Sequence, residues 1–196
     1  MIMIMQIVKR ETSVGHSRTE KAQSRERVLK AAARRLRETG PERLGVADIM
    51  REAGLTHGGF YGHFASRDAL VTAALARAFE HGRARSARAA GRHGERTLKS
   101  VVEGYLSPAH RDGPGSGCAI AALAADVARG DDAANRALLT HAVEQAAESM
   151  GALADSSDGL AVISTLVGAL ILARAVDQPA LSNAILAAAR AAILGP

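Results

Sequence analysis

Along most of the chain, apolar residues recur at spacings of three and four, the period of an amphipathic helix. Val28, Leu29, Ala32, Ala33 and Leu36 form one such stripe over residues 19–39, and Gly40-Pro41 ends it. A short second helix is predicted at about 46–53, with Val46, Ile49 and Met50 inward and Gly54 placed to close it in the left-handed conformation. Thr56 is a good N-cap for a third helix at about 57–63, and Ser66 for a long fourth one running from Arg67 to roughly Arg92. A helix then ends near Tyr105, and a Pro- and Gly-rich loop follows. A helix resumes near Ser116–Cys118, with Ile120, Leu123, Ala124 and Val127 as its stripe, and another spans about 131–154. Residues 160–173, "LAVISTLVGALILA", are apolar on nearly every side, and a last helix after Pro179 turns Leu181, Ile185, Ala188, Ala189, Ala192 and Ile193 onto adjoining faces. Strand formers are few, so the expectation is an all-α chain of about nine helices.

Two short helices joined by a glycine turn are the helix-turn-helix plan, whose second helix presents its N-terminal residues to base edges in the major groove. That plan gives the stretch "THGGFYGHF", residues 56–64, a reason to tolerate glycine. Gly58 and Gly59 fall in the opening turn of the reading helix, where bare backbone can approach DNA closely. Phe60 and Phe64, four apart, anchor the helix to a small core, while Tyr61 and His63 point elsewhere.

At these residues the sequence resembles the TetR family of bacterial transcriptional repressors, carried by "VADIMREAGLTHGGFYGHFASRDAL", residues 46–70. The rest of the chain is similar only in length and helix pattern. The resemblance implies an N-terminal three-helix helix-turn-helix domain followed by a helical ligand-binding and dimerisation domain. It implies phosphate contacts for Thr56, Tyr61 and Arg67, and base-edge contacts for His57, Gly58, Gly59 and His63, with His63 on phosphate in some members. Arg67 stands where lysine is more usual, which keeps the charge and changes its geometry. Gly45 stands where a Thr or Ser cap is more usual, removing one phosphate contact. Plainer roles stay open for three of these residues: Tyr61 as an ordinary surface or core aromatic, His57 and His63 as solvated spectators.

Charge divides the chain in the same place. Residues 1–92 hold 18 Lys and Arg against 9 Asp and Glu, whereas residues 93–196 hold 7 against 11. A basic first half and a mildly acidic second half fit a polyanion-binding unit joined to one with another task. The opening "MIMIMQIV" has no preceding basic region and no cleavage site, so it does not read as a signal peptide. With Lys9, Arg10 and Arg18 it is expected to form a disordered basic arm over residues 1–18, with Lys21 just beyond, ahead of the DNA-binding unit at 19–66 and the helical domain at 67–196.

Cys118 is the sole cysteine, which excludes an internal disulfide and fits a cytoplasmic setting. In the first turn of a helix its thiolate would be favoured, with His110 and Arg111 adding positive potential, so Cys118 is a candidate redox or electrophile sensor. A small residue packed under the loop is the plainer alternative. No metal-ligand spacing, catalytic pairing or cofactor motif accompanies it, and a thiol enzyme has little support. Candidate walls of an effector pocket are Phe79, Tyr105, Leu106, Ile120, Leu123, Val127 and Met150, all of them equally good core residues. The apolar helices at about 158–177 and 179–194 are expected to pair with their copies in a homodimer, as the family's do, and the apolar run 160–173, fourteen residues ended by Arg174, is too short to span a membrane. The expected function is therefore a homodimeric repressor that binds a palindromic double-stranded operator and is released by a small molecule or by cysteine modification. A sequence-independent architectural DNA binder is the alternative.

Overall fold

A 27-residue helix, α1 (Ser13–Thr39), organises the N-terminal part of the chain. The computed structural model describes residues 13–92, 96–154 and 158–195. After α1 come α2 (Val46–Glu52), a 3-10 helix (His57–Gly62) and α3 (Arg67–Arg92). The second part holds α4 (Leu98–Tyr105), α5 (Pro108–Asp112), a 3-10 turn (Pro114–Ser116), α6 (Ala119–Arg129), α7 (Ala133–Gly151), α8 (Gly159–Ala175) and α9 (Pro179–Leu194). Among the described residues there is no strand, and the all-α expectation holds with nine α-helices and two short 3-10 segments.

The punctuation follows local chemistry. Gly40 and Gly54 adopt φ of 77° and 74°, the left-handed conformation that glycine takes at least cost, and close α1 and α2. The Ser66 hydroxyl accepts from the Ala69 amide at 3.0 Å to open α3, and the Asp132 carboxylate accepts from Ala134 and Asn135 to open α7.

Four details depart from the sequence-based expectation. α1 begins at Ser13, so residues 13–18 are helical rather than part of an arm, and residues 1–12 lie outside the described residues. The reading segment is a 3-10 helix, with Gly59 N–H donating to Thr56 O and His63 N–H to Phe60 O. Three glycines in six residues weaken α-helical propagation, and i→i+3 bonds suit a segment this short. Residues 108–112, expected as loop, form α5, announced by Ser107 as N-cap and Pro108 in the first turn. α6 begins at Ala119, which makes Cys118 its N-cap rather than a first-turn residue.

Two apolar cores result. The first joins α1, α2, the 3-10 helix and the first half of α3 through residues such as Val28, Leu36, Ile49, Met50, Phe60, Phe64, Leu70 and Leu75. Leu123 and Val127 of α6 belong to it as well, so this core runs past the expected boundary at residue 66. The second joins α4, the end of α7, α8 and α9 through Val102, Leu106, Met150, Val162, Leu166 and Leu186. The candidate effector residues are shared between the two: Phe79, Leu123 and Val127 pack on the first, Tyr105, Leu106 and Met150 in the second, with Ile120 buried on α6. Two open surface cavities, of about 470 and 380 Å³, are lined by other residues, one at the α1–α3 groove and one beside the end of α9.

A polar junction ties the two parts together. Buried Arg37 of α1 donates from Nε to Gly115 O at 2.8 Å. From the other side, Arg174 of α8 donates to the carbonyls of His110 and Arg111, and Arg111 donates to Ser182 Oγ and Asn183 Oδ1 on α9. Buried His110 donates from Nδ1 to Tyr105 O at 2.7 Å, because a carbonyl can only accept, and its Nε2 accepts from the Cys118 amide at 3.0 Å. No described helix is long and apolar enough to cross a membrane.

Candidate nucleic-acid interface

The reading segment is built from weak local structure held by strong anchors. Phe60 and Phe64 are buried and their rings stack at 5.8 Å, as the four-residue spacing predicts. Arg25 of α1 lies over the Phe64 ring, 4.9 Å from its centre, and Arg27 donates from Nε to Ala53 O at the end of α2. Together these contacts pin a six-residue helix that would not persist alone.

Around those anchors, the residues expected to face DNA are mostly on the surface. Thr56, His57, Gly58, Tyr61 and Arg67 are exposed, Tyr61 to 74%. That exposure removes the option of Tyr61 as a core aromatic. Thr56 occupies the N-cap position, yet its hydroxyl accepts no capping bond and stays on offer to another donor or acceptor. The two adjacent glycines differ. A Cβ at Gly58 would meet nothing within 4 Å, so that position forms the open face of the segment. A Cβ at Gly59 would touch Met50 Cε at 3.7 Å and Thr56 Oγ1 at 3.8 Å, so Gly59 looks back toward α2.

His63 is half-buried. Its Nδ1 is enclosed and receives no hydrogen bond. Burial holds its pKa below the ordinary value, and the positive charges of Lys21, Arg25 and Arg27 push the same way. A neutral imidazole set among cations keeps the local potential positive without adding to it.

Arg67 carries a second task. Its guanidinium donates to the carbonyls of Pro41, Glu42 and Leu44, fastening the start of α3 to the loop between α1 and α2. A lysine ammonium could not span three carbonyls in this way, which gives the arginine a structural reason to be there. Gly45 serves as N-cap of α2 without a side chain to donate or accept. The contributions of Arg25, Lys21 and Arg27 were not visible from the recognition stretch alone; the signal lay in the charges on the preceding helix.

Short helix, tight glycine turn, exposed reading segment and cationic surround define a helix-turn-helix DNA-binding protein. Residues 28–74 match the family model described as bacterial regulatory proteins, tetR family. The fold extends the likeness over nearly the whole chain. A transcriptional regulator of the TetR family from Cytophaga hutchinsonii superposes with a TM-score of 0.73 at 19% identity, covering 90% of this chain and 96% of that one. One from Chloroflexus aurantiacus gives 0.71 at 23% identity, covering 90% and 97%. A third, from Streptomyces coelicolor, gives 0.59 at 25% identity, covering 88% and 96%. No curated protein sequence matches significantly. Residues 28–74 therefore carry a DNA-binding unit of the tetR-family type, and the chain as a whole shares the fold of these regulators.

Proposed function

We propose that this regulator is a repressor that binds a palindromic operator as a homodimer and lets go when an effector binds or when Cys118 is modified. The observation that carries the reading is the reading segment itself, open at Gly58 and flanked by exposed Thr56, His57, Tyr61 and Arg67. Thr56, Tyr61 and Arg67 are assigned to phosphates, and His57, Gly58, Gly59 and His63 to base edges, with Gly59 acting through the tight turn it permits.

Two recognition segments are needed because one reads too few bases for useful affinity, and a two-fold pair reads half-sites about 34–36 Å apart. The partner surface is assigned to α8 and α9, where Leu160, Ile171, Leu172 and Leu181 stand 54%, 40%, 57% and 46% exposed. Large apolar side chains grouped on two adjacent helices favour a covering partner. For release, Cys118 is half-buried at the start of α6, with its thiol free of any capping bond. Phe79, Tyr105, Leu106, Ile120, Leu123, Val127 and Met150 are kept as walls that an effector would have to part, in the cytoplasm.

Selection of bound duplexes from a random library tests the reading. The expected result is a palindromic consensus, lost in a Gly58→Leu protein that still folds. Equal affinity for every duplex would instead establish the sequence-independent architectural binder and end the repressor proposal.

A further inference from the structure

The core-facing stripe of α1 does not stop where the core stops. Leu36, Ala32, Leu29 and Val28 are buried along it. Continued toward the N-terminus at the same helical phase, the stripe carries Arg25, Lys21 and Arg18, all exposed. Arg18 lies ten residues before Val28, which is about 15 Å further along the axis. The helix thus projects beyond the body of the domain with a row of cations on the face that, further along, lies against the domain.

That row sits beside the reading segment. Arg25 rests on Phe64, and the charges of Lys21 and Arg25 reach the His63 ring. Its carboxylate neighbours on α1 lie elsewhere. Glu26 pairs with Arg77 of α3 at 2.6 Å, and Glu20 falls on the opposite side of the helix. Among the described residues this face of α1 carries no acid, and a cationic row beside a DNA-reading element suits a sugar-phosphate strand in charge.

We propose that Arg18, Lys21 and Arg25 form a second DNA contact, gripping phosphates of the duplex that flanks the half-site read by residues 56–63. It rests on the DNA-binding reading above and adds a surface that carries no sequence information. The contact is an ion pairing between guanidinium or ammonium groups and phosphate, with release of counterions and no covalent step.

The experiment measures affinity against salt for the full-length protein on two duplexes: the best one selected from a random library and a scrambled one of equal length. Each phosphate neutralised contributes about 0.9 to the slope of log affinity on log salt. Arg18→Ala combined with Lys21→Ala is expected to lower the slope by about 1.8 on both duplexes, so a fourfold rise in salt weakens the variant about twelvefold less than the parent. The preference for the selected duplex over the scrambled one is expected to stay. Arg18→Lys with Lys21→Arg should restore the slope, and trimming the flanks of the selected duplex should bring the parent down to the variant's slope. An unchanged slope on both duplexes overturns the proposal, as does a slope lowered with no response to trimming. A library yielding no preferred sequence defeats the operator reading alone, since the scrambled duplex still reports the slope.

Discussion

The reading segment and the α8–α9 pair place opposite demands on the chain. Residues 56–63 surrender side chains: two glycines side by side, a third at Gly62, and only Phe60 buried to hold the segment in place. The α8–α9 pair carries an excess of them, so that after Leu166, Leu170 and Leu186 are buried, Leu160, Ile171, Leu172 and Leu181 are still outside. The first surface is stable without a partner because its anchors lie beneath it. The second has anchors on both sides of the helix, which leaves apolar area for something else to cover. The surface proposed to read and the surface proposed to assemble are thus distinguishable by where their hydrophobic residues end up.

The comparison breaks most visibly at the anchors. Phe60→Ala removes a buried ring from beneath the reading segment and is expected to cost about 3–5 kcal/mol, seen as a large fall in Tm together with loss of duplex binding. Substitutions on the outer face of α8 should behave differently. Leu172→Lys is expected to leave the monomer folded and to weaken self-association by about 2 kcal/mol, the transfer value of one leucine, measured by sedimentation over a dilution series. A protein that stays equally associated would show that this face is not where copies meet.

Smaller effects sharpen the contrast at the junction between the two regions. A Cβ at Gly117 would come within 3.0 Å of the Arg174 guanidinium and 3.1 Å of His110 Nε2. Gly117→Ala is therefore expected to cost about 1–3 kcal/mol by overpacking, read in chemical denaturation. The smallest effect belongs to His63. Folding holds its pKa below the ordinary value near 6.5, so on acidification through that value the unfolded chain takes up the proton first and stability falls. His63→Asn should flatten that part of the Tm profile, with the parent losing more between pH 7 and pH 5.5.

How much of this was written in the sequence depends on the range of the interaction concerned. Helix boundaries set by local chemistry were legible: Gly40, Gly54 and Ser66 mark their turns, and the Phe60–Phe64 spacing marks its face. The α5 helix was equally local, with serine and proline in capping order, but the surrounding proline and glycine content concealed it. The 3-10 geometry of residues 57–62 was not legible, because i→i+3 and i→i+4 hydrogen bonding compete closely in so short a segment. Least legible was the sharing of the core. Leu123 looks like any helix stripe residue, and only the long-range packing of α6 on α1 and α3 assigns it to the N-terminal core. For the same reason seven plausible pocket walls were dispersed between two cores.

The short stretch from Gly113 to Gly117 is, in effect, a thin shim between α1 and α8. At Gly115 a methyl group would run into Glu38 and Arg34, and at Gly117 into Arg174 and His110. A larger residue at either site therefore has to displace the side chains that make the junction. The closeness of the N-terminal helix to the C-terminal pair is thus tied to two positions that carry no side chain.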